Sequence, residues 1–366
     1  MPELVAIAIP TGPRFLAELT RVWDEGNAVL PVDPRLPMPA VAALLEAMRP
    51  SVLVDEAGER QRLHDPRPVE PGDALVVATS GTTGAPKGVV LTHAAVEASA
   101  RATSARLRVE PSVDRWLAVL PVAHIGGLSV LTRALTTGTP VTFDVDDPAA
   151  TLTAMVPTQL ERHDTSRFRV VLAGGSADWR ERSTNVVHTY GMTETGSGIA
   201  YDGVALDGVE MRIGDDGEIL VRGPMLLRCY RDGSDPKGPD GWLATGDEGE
   251  LDDEGRIVVH GRRGEVIVTG GEKVWPAPVE AAIRELPDVA DVAVVGLADP
   301  EWGQRVVAYV VPAAAAGEIP LDLARIREAV KKMFPAYMAP RELHLRNQLP
   351  RTAMGKIRRS SLGESR

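Results

Sequence analysis

The sequence predicts an α/β protein in two parts: a large N-terminal domain of layered sheets and helices, residues 1–263, and a smaller α+β domain, residues 264–366. Three observations carry the prediction. Short apolar runs such as Ala28–Val32, Val52–Val54 and Val170–Leu172 alternate with amphipathic stretches, the pattern of layered sheets with much parallel pairing. Turns rich in glycine and hydroxyl residues follow several of these runs, where α/β sheets place ligands. After Gly264 the alternation restarts on a smaller scale, with its own strands and helices.

The elements follow in order. Residues 14–24 read as a helix with Phe15, Leu19 and Val22 on one face, and Ala28–Val32 as a strand. Pro37–Met48 is a second helix, with Val41, Leu44, Leu45 and Met48 on its stripe, stopped before Pro50. Val52–Val54 is a strand, and residues 56–73 read as a polar, proline-rich linker. Ala74–Ala78 is a buried strand, Thr92 caps a helix running to about Ser104, and Trp116–Leu120 is a strand. Val170–Leu172, Val186–His188, Gly217–Arg222 and Ile257–His260 are strands, with a hairpin turn at Asp253–Gly255. In the C-terminal part Val266–Val268, Val289–Val295 and Arg305–Val311 are strands, and Pro276–Leu286 and Leu321–Phe334 are helices. Ala313–Ala316 reads as a surface loop.

Composition narrows the function. The 366 residues include 44% apolar and 25% charged residues, as in an ordinary globular protein. A net charge of −11 argues against a nucleic-acid-coating surface and against a polybasic membrane anchor. Cys229 is the one cysteine, so no intrachain disulfide can form and a reducing cytoplasm is expected. No run reaches the ~18 apolar residues of a membrane span, and the N-terminus lacks the basic and apolar regions of a secretion signal.

The stretch with most chemical content is Thr79-Ser80-Gly81-Thr82-Thr83-Gly84-Ala85-Pro86-Lys87-Gly88. Its glycines let backbone approach a ligand closely. Ser80, Thr82 and Thr83 add hydroxyls, Lys87 adds a positive charge, and successive N–H groups can cradle an anion, so polyphosphate is the natural guest. It is not a Walker A loop, which needs Gly-Lys-Ser/Thr opening a helix; here Gly88 follows Lys87.

Further candidates stand past other strands. Gly174-Gly175-Ser176-Ala177 and Thr189-Tyr190-Gly191-Met192-Thr193-Glu194 can make a slot for a flat heterocycle, with small residues after one strand and Tyr190 after the next to stack on it. Thr193 can donate to a phosphate, and Glu194 offers a hard oxygen for magnesium, which takes one or two carboxylates plus phosphate oxygens. Asp247 can accept from two ribose hydroxyls, and Arg262 can brace the ribose or a phosphate. His124, in Pro121-Val122-Ala123-His124-Ile125-Gly126-Gly127-Leu128, sits past a strand end; alone, such a histidine is ordinarily structural. Lys356, in Arg351-Thr352-Ala353-Met354-Gly355-Lys356, reads by itself as a solvated surface lysine.

Taken together these motifs resemble the adenylate-forming superfamily of acyl-CoA synthetases, adenylation domains and luciferases, over residues 26–358 and in the same order. The resemblance implies an enzyme using ATP, Mg2+ and CoA, with a C-terminal domain that rotates between two half-reactions. It implies that Ser80–Lys87 hold the ATP phosphates, that Gly174–Ala177 and Tyr190 frame adenine, and that Asp247 and Arg262 hold the ribose. It likewise implies that Glu194 binds magnesium, that Thr193 touches phosphate, that His124 lies beside the carboxylate and phosphates, and that Lys356 stabilises the adenylation transition state. Gly270 and Gly271 resemble the segment lining the thiol channel.

The chain departs from the superfamily pattern in two places. The phosphate loop begins near residue 79, so the front of the large domain is reduced. Gly264 stands where members often carry a charged hinge residue, and glycine can serve as the hinge through its backbone freedom.

Within the superfamily, His124-Ile125-Gly126-Gly127-Leu128-Ser129-Val130-Leu131-Thr132-Arg133 is most similar to the o-succinylbenzoate–CoA ligases of menaquinone biosynthesis. That likeness makes Arg133 the partner of a second substrate carboxylate, since guanidinium pairs with it bidentately, with Ser129 and Ser197 assisting. The partners implied are the acid, ATP and CoA, and a homodimer is compatible with the reading. The runner-up is another aryl- or acyl-CoA ligase or a free-standing adenylation domain. From a different class comes a non-catalytic nucleotide-binding protein on the same fold.

Overall fold

Strand alternation and helical spacing decide the first layers. The computed structural model describes residues 1–80, 86–160, 163–174, 184–313, 321–351 and 357–363. In the strand Leu4–Ile7, Val5 and Ile7 face one side of a sheet while Leu4 and Ala6 face the other, and all four are buried. The helix Pro13–Asp24 covers the first side with Phe15, Leu19 and Val22, each fully buried, worth roughly 1.5–3 kcal/mol apiece in apolar transfer. The helix Met38–Met48 covers the other side with Leu44 and Met48. A sheet covered on both faces explains why its strands read as apolar runs.

This first sheet has seven strands, in the order Cys229–Tyr230, Pro86–Thr92, Asp73–Ser80, Ala28–Pro31, Leu4–Ile7, Val52–Val54, Arg60–Arg62. Its four middle strands, from Asp73–Ser80 to Val52–Val54, are parallel and its flanks antiparallel. A second seven-stranded sheet runs Val204–Ala205, Ser197–Tyr201, Val186–Met192, Val170–Gly174, Leu152–Met155, Trp116–Leu117, Val141–Thr142. The helices His93–Arg106 and Ile125–Thr137 pack against each other, and a shared core joins Val96, Leu128 and Leu131 to buried residues of both sheets. A third, antiparallel sheet of Glu210–Ile213, Glu218–Arg222, Leu243–Leu251 and Ile257–Arg262 adds Ile219, Val221, Leu243 and Ile257 to that core.

The fourth sheet lies wholly after residue 266, with Glu272–Val274, Ile267–Thr269, Gly303–Pro312 and Val289–Asp299 in order and Glu342–Leu345 parallel to Gly303–Pro312. Val292, Val294, Val306 and Ala308 face the helices Pro276–Arg284 and Leu323–Lys331 through a separate core. Among the described residues no helix is long and apolar enough to cross a membrane.

Three sequence expectations are corrected. The linker 56–73 contains a strand, Arg60–Arg62, all exposed; it lacks any apolar pattern because it is a sheet edge. The strand expected over Trp116–Leu120 ends at Leu117, and the Thr11 hydroxyl then holds the chain by donating to Leu120 O and accepting from Val122 N. The strand expected at Val186–His188 continues to Met192, so Tyr190 lies within a sheet rather than after one. Part of the expected Ala313–Ala316 loop lies outside the described residues.

Candidate active site

The stretch Thr79–Gly88 includes the ends of two antiparallel strands, Asp73–Ser80 and Pro86–Thr92, paired Thr79 to Lys87. Gly81, Thr82, Thr83 and Gly84 lie outside the described residues, as does the side chain of Ser80. Lys87 is exposed and makes no ion pair among the described residues; its ammonium stands 5.2 Å from the centre of the Tyr230 ring. A Cβ on Gly88 would meet Met48 Sδ at 2.5 Å and Arg231 Cβ at 2.8 Å, so glycine is what lets Arg231 cross this strand.

Glu194 stands in a single 3-10 turn, Thr193–Thr195, between the antiparallel strands Val186–Met192 and Ser197–Tyr201. The Thr195 hydroxyl pins the turn, accepting from Met192 N at 2.9 Å and bonding to Ser197 O at 2.7 Å. Thr193 and Glu194 are half-buried, and Glu194 Oε1 accepts a hydrogen bond from the Tyr230 hydroxyl at 3.0 Å. Sequence reasoning missed Tyr230. Its only local signal is an aromatic residue between cations in Arg228-Cys229-Tyr230-Arg231, and nothing there points to residues 87 or 194.

Tyr190, Asp247 and Arg262 meet. The Tyr190 hydroxyl donates to Asp247 Oδ2 at 2.9 Å, and Arg262 Nε lies 3.0 Å from Asp247 Oδ1 across paired strands. Arg262 Nη1 also donates to Thr245 O at 2.9 Å. Burial raises the Asp247 carboxyl above its ordinary value, against the opposing pull of the Arg262 charge and the Tyr190 hydrogen bond. Each oxygen has one protein donor, and a carboxylate can accept about four hydrogen bonds, so capacity for a diol is left. Gly174 ends the strand Val170–Gly174 opposite Thr189, next to Tyr190; Gly175, Ser176 and Ala177 lie outside the described residues.

His124 is half-buried at the N-cap of the helix Ile125–Thr137, near the Asp33 carboxyl, which the hydrogen bond from Arg35 holds below its ordinary value. A Cβ on Gly127 would come within 2.4 Å of Pro121 O, so this glycine allows the helix to start against the loop before His124. On the same helix Ser129 and Arg133 are both buried, the Ser129 hydroxyl donating to Gly126 O. The Arg133 guanidinium stacks 5.7 Å from the Trp116 ring centre, its Nε has no hydrogen-bond partner, and no carboxylate among the described residues pairs with it. Burial lowers its proton affinity. Ser197, buried, shares a hydrogen bond with Ser99 at 2.9 Å.

Gly270 and Gly271, with φ of +59° and +87°, form a two-residue hairpin tip between Ile267–Thr269 and Glu272–Val274, where both central residues need positive φ. A Cβ on Gly270 would strike Trp302 Cε3 at 2.8 Å. Gly264 sits in the 3-10 turn Arg263–Glu265 with open space around its Cβ position. Lys356 lies outside the described residues.

The structure thus brings Tyr190, Asp247 and Arg262 together in one cluster, and Lys87 and Glu194 together around Tyr230. Residues 55–231 match the family model of AMP-binding enzymes, and residues 278–356 match that of the AMP-binding enzyme C-terminal domain. The chain belongs to the AMP-binding enzymes. This is a family of adenylate-forming CoA ligases. A probable 2-succinylbenzoate–CoA ligase of Mycobacterium tuberculosis is 41% identical over 324 residues, covering 79% of this chain and 83% of that one. The o-succinylbenzoate CoA synthetase of Bacillus subtilis, solved with the acyl-adenylate OSB-AMP, superposes with a TM-score of 0.85 at 27% identity, covering 100% of this chain and 88% of that one. The same protein solved with ATP and magnesium gives 0.84 at 27% identity, covering 98% and 89%.

For this AMP-binding enzyme the donor set bears on the metal. Among the described residues no group of three or more His, Cys, Asp or Glu could hold an ion. Among the described residues Glu194 has one oxygen bonded to Tyr230 and a second with no such bond. One carboxylate oxygen, completed by phosphate oxygens and water, suits magnesium arriving with a nucleotide.

Proposed function

We propose that this AMP-binding enzyme is a 2-succinylbenzoate–CoA ligase of menaquinone biosynthesis, working in the cytoplasm. In the first half-reaction a carboxylate oxygen of the acid attacks the α-phosphorus of ATP, and pyrophosphate leaves. In the second, the CoA thiol attacks the acyl carbon, the thioester forms and AMP leaves with the bonding electrons. No protein nucleophile is required, so catalysis is positioning plus positive charge.

The residues divide accordingly. Ser80–Lys87 and Thr193 hold phosphates, Gly174–Ala177 and Tyr190 frame adenine, and Asp247 with Arg262 holds the ribose. Glu194 holds Mg2+, which when bound neutralises phosphate charge. His124 stands by the reacting carboxylate, and Lys356 supplies charge to the transition state. Residues 264–366 form the domain that moves about Gly264 and brings Gly270 and Gly271 to the thiol channel.

The observation that carries the choice of acid is Arg133: a buried guanidinium with an unbonded Nε and no carboxylate facing it among the described residues. An uncompensated buried charge is costly, and a substrate bearing a second carboxylate would supply the missing partner. Ser129 and Ser197 flank that position in this reading.

Pyrophosphate release with ATP and Mg2+, over a panel of carboxylic acids with and without CoA, tests the proposal. Turnover confined to 2-succinylbenzoate, with its CoA thioester formed, is the expected result. Turnover on simple aryl or fatty acids, with none on the diacid, would overturn the choice of acid and leave the ligase class standing.

A further inference from the structure

Tyr230 lies between the two groups on which nucleotide charge would rest. Its hydroxyl donates to Glu194 Oε1 at 3.0 Å, and its ring lies 5.2 Å below the Lys87 ammonium. Among the described residues Lys87 and Glu194 form no salt bridge with each other, although they share Tyr230 as a neighbour.

The segment carrying Tyr230 is anchored on both sides. Arg228 forks onto Asp73, Nε to Oδ1 and Nη2 to Oδ2, both at 2.9 Å. Arg231 donates from Nε to Met48 O at 3.0 Å and from Nη1 to Pro68 O at 2.9 Å, and also bonds Arg67 O. Its burial brings its pKa down to about 10. Lys237 Nζ donates to the carbonyls of Leu227 and Arg228 at 2.8 and 2.9 Å. Backbone pairing adds Arg228 N to Val90 O, Arg231 N to Gly88 O, and Leu227 N to Glu194 O at 2.7 Å. Three cations spent on holding a two-residue strand at a sheet edge are out of proportion to its own stability. They make sense if the residue between them has to stay in place.

We propose that Tyr230 is a positioning residue for the ATP–magnesium complex: it holds one oxygen of Glu194, leaves the other for the cation, and keeps Lys87 on its ring face and apart from that carboxylate. The proposal rests on the assignment of Glu194 to Mg2+ and of Lys87 to phosphate. The phenol fixes the carboxylate rotamer, and the ring gives the ammonium a cation–π seat that leaves its donors open to phosphate. Without the ring, Lys87 and Glu194 are two opposite charges with nothing between them, and pairing would consume both.

The test is ATP affinity by isothermal titration calorimetry, with Mg2+ and in EDTA, for the full chain and for Tyr230→Phe and Tyr230→Leu. Mn2+ bound in the ternary complex is counted in parallel by electron paramagnetic resonance. Tyr230→Phe keeps the ring and loses the hydroxyl. It is expected to weaken ATP about ten-fold with Mg2+, as for loss of one hydrogen bond to a charged group, to lower Mn2+ occupancy, and to change affinity in EDTA less than about two-fold. Tyr230→Leu is expected to weaken ATP in both conditions, because Lys87 is then lost to Glu194. Removing the phenol in a Glu194→Gln background is expected to have no further effect on the Mg2+ enhancement. Equal weakening of ATP with and without Mg2+ in Tyr230→Phe would mean a structural role and overturn the proposal, as would unchanged Mg2+ enhancement. Wild-type protein whose ATP affinity does not respond to Mg2+ at all would instead overturn the assignment of Glu194 beneath it.

Discussion

Lys273 Nζ and Glu248 Oε2 are 2.9 Å apart, and this ion pair ties the hairpin Ile267–Val274 of the fourth sheet to the third. Glu248 is buried beside Asp247 on the strand Leu243–Leu251, and its next cation, Arg263 Nε, is 3.8 Å away. The Lys273 side chain is about half exposed, so solvent screens the pair and its loss costs only about 0.5–1 kcal/mol. Lys273→Gln should lower the unfolding free energy by that amount, read from urea unfolding as the midpoint shift times the m-value, and speed tryptic cleavage at Arg262 and Arg263. Salt at 1 M, with a screening length near 3 Å, should produce part of the same effect in the unsubstituted chain. Unchanged cleavage would show that the pair does not restrain the fourth sheet.

Asp247 gives a pH-dependent prediction. Its folded-state value is raised by burial, so in the window above the ordinary carboxylate range the folded chain keeps a proton that the unfolded chain has released. Stability from this group is present at acid pH and is lost as pH rises through the raised value. Asp247→Asn should therefore be more stable than the parent at pH 7, with the difference shrinking toward pH 4. ATP should bind the variant at least about ten-fold more weakly, as expected where a charged acceptor is lost. Melting temperatures across that range and a nucleotide titration check both halves.

Arg133→Met replaces a buried cation that pairs with no carboxylate among the described residues with an apolar side chain of similar length. Stability should stay level or rise, because a buried charge without a partner is a cost. The apparent KM for 2-succinylbenzoate should rise strongly while ATP affinity stays within about two-fold, or ~0.4 kcal/mol. Equal loss for acid and ATP would remove Arg133 from the acid site.

Gly270→Ala puts a Cβ at a φ of +59° and within 2.8 Å of Trp302. The left-handed backbone alone costs about 1–2 kcal/mol. Pyrophosphate release driven by the acid should continue, while transfer to CoA slows at least five-fold by rapid-quench assay. Equal slowing of both steps would take Gly270 out of the thiol channel.

Much of the architecture was legible where periodicity and burial agree. Phe15, Leu19 and Val22, and the paired faces of Leu4–Ile7, follow from spacing alone, because one face must meet a core. Thr92 caps its helix as its residue type suggests, accepting from Ala95 N at 3.1 Å. The strand Arg60–Arg62 was hidden because a polar edge strand has no apolar signature. Trp116–Leu117 proved shorter than its apolar run because Thr11, distant in sequence, ties off the chain at Leu120.

The site divides the same way. Local sequence determined which residues can carry phosphate, metal and ribose chemistry, since glycine freedom, a hydroxyl, a carboxylate or a lysine each acts through its own type. Tertiary structure decided which of them meet. Asp247 and Arg262 face each other through strand register, and Tyr190 reaches them from another sheet. Tyr230, far from Glu194 and Lys87 in the chain, joins both because Cys229–Tyr230 pairs with Pro86–Thr92. Arg133 is buried by packing, with Nε unbonded among the described residues. Residue types are written into each position; distances between remote positions exist only after sheets have packed, since packing alone brings them within hydrogen-bond range.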